Sequence, residues 1–107
     1  MELIWVLVNC TSDKEAEKIG DILLNNRLIS CYDIFPRKLS KYFWPPKTNK
    51  FESVKGAMLT AETFKEKYQA VKKLIEKNHS DDLPFIGYIN IYGTDPKFQK
   101  WVNDEIK

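Results

Sequence analysis

At 107 residues, with 43% hydrophobic and 30% charged content, the chain has the size and composition of one soluble domain able to build a core without disulfides. Its 17 basic and 15 acidic residues are scattered and leave a net charge of +2, which excludes the broad positive field that nucleic-acid binding needs. The opening apolar run stops at Asn9, too short to span a bilayer, and it lacks the basic start and small-residue cleavage site of a secretory signal. A cytoplasmic protein with no membrane partner is expected, with Cys10 and Cys31 as reduced thiols.

Leu3 to Val8 is apolar at every position, so both faces of this first strand must be covered and the strand should be central. Ser12 with Glu15 forms a capping box before a helix carrying Ala16, Ile19, Leu23 and Leu24, which the poor helix formers Asn25 and Asn26 end. A second strand follows from about Ile29 to Tyr42, with Cys31 as its first buried position, then a reversal at Pro45-Pro46 to Asn49. The third strand is expected over Phe51 to Leu59. Thr60 then reads as the cap of a second helix, whose Phe64, Tyr68, Val71, Leu74 and Ile75 form one stripe and which Asn78 to Asp82 ends. Phe85 to Tyr92 is the fourth strand. Asp95-Pro96 starts a final helix with Phe98, Trp101, Val102 and Ile106 on its apolar side.

This order predicts a ferredoxin-like βαββαβ sandwich, an α/β (α+β) fold with an antiparallel sheet and an additional C-terminal helix, spanning residues 1–107 as a single domain. Helices on one sheet face leave the other bare, and the hairpin carries Tyr42, Phe43 and Trp44 in a row. Burying those three aromatics is worth roughly 5 to 9 kcal/mol, at about 1.5 to 3 kcal/mol per large side chain, so self-association is expected.

Four segments carry a family resemblance. Ala16-Glu17-Lys18, Leu23-Leu24 and Arg27-Leu28-Ile29-Ser30-Cys31 resemble a helix-to-strand signature; Ser40-Lys41-Tyr42-Phe43-Trp44, with Lys47 and Glu52, resembles a Tyr-Trp-Trp-Glu-Gly-Lys hairpin. His79, Asp82 and Pro84 keep the spacing of a His-Pro-Tyr-Glu-Val-Pro motif, and Asp95 to Trp101 is similar to a closing helix. In this order they resemble the CutA divalent-cation-tolerance family over nearly the whole chain. Pro45-Pro46 and Ser80-Asp81 depart from the family pattern. The resemblance implies a non-enzymatic homotrimer in the response to metal ions, binding copper or another divalent cation and no organic cofactor. The apolar surface of the hairpin and the terminal helix, which one domain cannot bury, is expected to put Tyr42, Phe43, Trp44, Lys47, Glu52 and Trp101 at subunit boundaries.

The residues themselves offer Cys31, His79 and Cys10 as metal ligands, because thiolate and imidazole together suit copper or zinc. As packing groups, Cys31 reads as a core thiol and His79 as a helix-end charge, whose ring Asp81 or Asp82 would hold. No Gly-rich phosphate loop, Gly-x-Ser-x-Gly elbow or nucleophile partner for His79 is present, so an enzyme is not expected. An acylphosphatase would need a glycine-rich anion cradle that Thr11 to Asp13 lacks, and an RNA-binding sheet would need aromatics that Val54 to Leu59 lacks. The alternative is a PII-like ligand-sensing trimer, in which Lys38 to Lys50 would form the long sensing loop.

Overall fold

The computed structural model describes residues 2–107. The uniformly apolar opening run becomes β1 (Leu3–Cys10), followed by α1 (Asp13–Asn25), β2 (Cys31–Phe43), β3 (Phe51–Phe64), a 3₁₀ turn (Lys65–Lys67), α2 (Tyr68–Asn78), β4 (Ile86–Asn90) and α3 (Pro96–Glu105). The four strands form one antiparallel sheet in the order β2-β3-β1-β4. This is the expected ferredoxin-like arrangement, with β1 central and α3 added.

Alternation along β1 sends Ile4, Val6, Val8 and Cys10 to one face, where they pack with Ala16, Ile19 and Leu23 of α1 and Val71 and Ile75 of α2. Ser12 caps α1, its Oγ accepting from the Glu15 amide at 3.1 Å. The helix stops where Arg27 turns left-handed at φ 56°, with the Asn26 side chain donating to the Ile22 carbonyl at 2.7 Å. Gly20 is required by a close approach: a Cβ there would sit 2.6 Å from the Tyr32 ring. A smaller core of Leu3, Phe64, Val102 and Ile106 fixes α3 against one end of the sheet.

Two expectations are corrected. β3 does not end at Leu59, and Thr60 caps no helix: the strand continues to Phe64, Thr60 pairs with Leu7, and α2 begins only at Tyr68. Phe64 therefore belongs to the α3 core rather than to the α2 stripe. The signal was the continued alternation of Ala57, Leu59, Ala61 and Thr63, all fully buried. Lys38 to Lys50 is not a long loop either. Ser40 to Phe43 pairs with Phe51 to Val54 in a two-stranded arm that runs past the end of β1, beyond the Cys10–Ala57 pair. The arm gives the chain a 48 Å long axis and a radius of gyration of 14.9 Å, against about 13 Å for a compact domain of this size.

Candidate functional site

Where the last residue of β1 meets the start of α1 and the end of α2, Cys10, Glu15 and His79 place a thiol, a carboxylate oxygen and a ring nitrogen within 4.8 Å of one another. Glu15 is held by the turn before its own helix, its Oε1 accepting from the Thr11 amide at 2.9 Å and the Thr11 hydroxyl at 3.1 Å. Its other oxygen accepts from the Ser80 amide at 2.9 Å, which ties α1 to the loop after α2. The His79 side chain is fully buried. Nδ1 accepts from the Asp81 amide at 3.0 Å, so the proton sits on Nε2, which donates to the Asn9 carbonyl at 2.7 Å. The ring is thus oriented by the Asp81 backbone, and its carboxylate neighbour is Glu15 at 3.7 Å rather than the Asp81 or Asp82 side chain.

These groups do not fit a cation site as they stand. Both imidazole nitrogens are engaged, and both Glu15 oxygens accept backbone protons. Cys10 has no exposure, and burial first, then the charge of Glu15, pushes its thiol up to about 12. The arrangement is a hydrogen-bonded latch closing the sheet end.

Cys31 lies elsewhere. It opens β2 opposite Glu62, in a row that continues through Trp5 to Ile89 on the sheet face away from α1 and α2. It is half-buried there rather than part of the helix-side core. Glu62 is only 7% exposed and accepts from the Ser30 hydroxyl at 2.8 Å, the Trp5 indole at 3.3 Å and the Cys31 thiol at 3.5 Å. Burial first, then the Glu62 charge, raises the Cys31 thiol to about 12. One chain therefore keeps Cys31 apart from Cys10 and His79, and it offers Cys31 a carboxylate partner. That partner was hidden from sequence reasoning because Glu62 fell in the segment read as helix. The rest of this face carries Leu7, Met58 and Phe35, and α3 packs on it only at the Leu3–Phe64 end.

Tyr42, Phe43 and Trp44 stand on the arm with Glu52 opposite Tyr42, and Lys47 sits at the tip with φ 62°. Trp101 is at the other end of β2, because the Arg27–Glu105 ion pair at 2.7 Å and the Lys107 amide to Arg27 carbonyl bond at 2.9 Å hold α3 beside the α1–β2 junction. All six are surface residues. Between the arm and the loop 80–83 lies a cleft of about 550 Å³.

The profile of the family described as CutA1 divalent ion tolerance protein matches residues 4–105. The chain belongs to this family. A CutA homolog of Danio rerio is 28% identical over 101 residues, covering 94% of this chain, which spans 65% of that protein's length. The divalent-cation tolerance protein CutA of Pyrococcus horikoshii is 30% identical over 94 residues, 88% of each chain. The solved structure of the periplasmic divalent cation tolerance protein CutA from Archaeoglobus fulgidus superposes with a TM-score of 0.91 at 27% identity, covering 98% of this chain and 99% of that one. CutA1 of Ehrlichia chaffeensis gives 0.88 at 27% identity, covering 96% and 94%. Among the described residues of this CutA1 family member, no helix is long and apolar enough to cross a membrane.

Proposed function

We propose that this CutA1 family member is a non-enzymatic, cytoplasmic homotrimer that serves divalent-cation tolerance by binding copper through Cys31. The observation that carries the reading is the sheet face opposite α1 and α2, which α3 covers only at its Leu3–Phe64 end. It is apolar enough to demand a cover, with Phe35 and Ile89 nearly half exposed, and it holds the Cys31–Glu62 pair. Covering each large apolar side chain contributes about 1.5 to 3 kcal/mol, and further copies of the same face are the simplest cover.

A soft thiolate selects copper among divalent ions, with Glu62 as the oxygen ligand beside it. Two donors per chain do not close a site, so the remaining ligands come from neighbouring protomers. Copper must displace the thiol proton, so binding strengthens as pH rises. Arm and α3 sit at opposite ends of β2, and in the trimer they supply the boundaries where Tyr42, Phe43, Trp44, Lys47, Glu52 and Trp101 meet other protomers. Calorimetry with copper and with magnesium, on wild type, Cys31→Ser and His79→Ala at matched oligomeric state, tests the reading. Copper binding lost in Cys31→Ser and kept in His79→Ala supports it; equal affinity in all three proteins refutes it.

A further inference from the structure

Glu62 is a carboxylate sunk into the sheet with no opposite charge beside it. It is 7% exposed in the single chain, and its three side-chain partners, the Ser30 hydroxyl, the Trp5 indole and the Cys31 thiol, are all neutral donors. Among the described residues, no lysine, arginine or histidine makes an ion pair with it. Arg37, further along β2, donates instead to the Cys10 carbonyl at 3.2 Å.

A second carboxylate shares this face. Asp33 stands opposite Thr60 as Cys31 stands opposite Glu62, so alternation puts Asp33 and Glu62 on the same side of the sheet. Asp33 is exposed in the single chain and makes no ion pair among the described residues either. Its charge reaches the thiol: after burial, the charges of Glu62 and then Asp33 push Cys31 up.

Covering this face with further copies of the chain therefore has two opposing effects. It buries Phe35 and Ile89, which favours assembly, and it brings Glu62 and Asp33 of every protomer together away from water, which opposes it. A buried charge without a partner is costly, and like charges in a dry site raise that cost. A divalent cation at the same place offsets it by pairing with the carboxylates and thiolates of more than one protomer. A ligand held more tightly by the assembled state than by separate chains stabilises that state, and assembly raises the ligand's affinity in return.

We propose that copper binding and assembly are linked through this site: copper held by Cys31 and Glu62 across protomers tightens the homotrimer, and removal of the metal loosens it. The linkage rests on the trimeric, copper-binding reading given above.

Sedimentation velocity of the full chain, carrying an amino-terminal fluorophore and diluted from micromolar to nanomolar concentration, tests the linkage. Metal-free trimers should dissociate on dilution, at a midpoint concentration that copper lowers about tenfold or more and magnesium changes by less than about twofold. Asp33→Asn leaves the Glu62 bonds in place, and Glu62→Gln keeps an oxygen for Ser30 and Cys31; each should lower the metal-free midpoint about threefold or more and shrink the copper effect. Equal midpoints with and without copper, metal-free trimers intact down to nanomolar concentration, or unchanged midpoints in both variants would overturn the linkage and leave the trimer standing. Single chains at every concentration, with copper or without, would overturn the trimeric reading and the linkage with it.

Discussion

Replacing Glu15 with alanine removes the carboxylate that joins the β1–α1 turn to the loop after α2. The lost bonds run from the Thr11 amide, the Thr11 hydroxyl and the Ser80 amide, at 2.9, 3.1 and 2.9 Å. A hydrogen bond to a charged group contributes about 1.5 to 3 kcal/mol; Thr11 and Ser80 are exposed and regain water, so the whole substitution should cost about 2 kcal/mol rather than the sum. Urea denaturation at fixed protein concentration should show this as a lower midpoint with an unchanged slope. The loss should also depend on pH. Burial alone would raise the Glu15 pKa, but the bonds from Ser80 and Thr11 and the neighbouring His79 outweigh it and hold the carboxyl below its ordinary value of 4.5. A depressed folded-state pKa means that the stabilisation is complete above the ordinary carboxylate range and is lost as pH falls through the folded value. The gap between wild type and Glu15→Ala should therefore be constant from pH 8 to about 5 and shrink below it. A cost under about 0.5 kcal/mol at pH 7, or a gap unchanged down to pH 3, would refute the latch.

Gly20→Ala should destabilise by about 1 kcal/mol, although alanine ordinarily gains about that much inside a helix, because the new methyl would meet the Tyr32 ring at 2.6 Å and strain its 2.8 Å bond to Asp21. Thermal melts decide it, and a raised midpoint would mean the ring moves freely. Cys31, with its thiol pushed up to about 12, should react with iodoacetamide at pH 8 roughly 100-fold more slowly than a cysteine in the unfolded chain, gaining rate as pH rises. Labelling followed by mass spectrometry at the ordinary rate would contradict the Glu62 pairing. Trp44→Ala should loosen the assembly before it harms the fold, and sedimentation showing an intact oligomer of unfolded chains would assign Trp44 to the subunit core.

Much of the frame was legible in the residues. Leu3 to Val8 announced a central strand by having no polar position, Ser12 and Asn25-Asn26 bracketed α1, and Asp95-Pro96 marked the start of α3. What sequence missed came from pairing across the sheet. Thr60 has the chemistry of a cap, but its partner Leu7 on β1 keeps it in a strand, a tertiary effect that local propensity does not carry. A third strand that ends at Leu59 leaves Glu62 without its place opposite Cys31. The capping box was visible and its extension was not: Glu15 reaches Thr11 rather than the Ser12 amide, and then crosses to Ser80, 65 residues away. His79 reads as a possible ligand from its residue type, while the backbone groups of Asn9 and Asp81 that occupy both its nitrogens have no sequence signature.

The proposed function requires the sheet face opposite α1 and α2 to be covered by two further copies of the chain, a cover that would both bury Phe35 and Ile89 and bring the protomers' Cys31 sites together. Multi-angle light scattering on size-separated protein at micromolar concentration tests this directly. A single species at three times the 12.6 kDa chain mass is predicted. A monodisperse monomer would contradict the account.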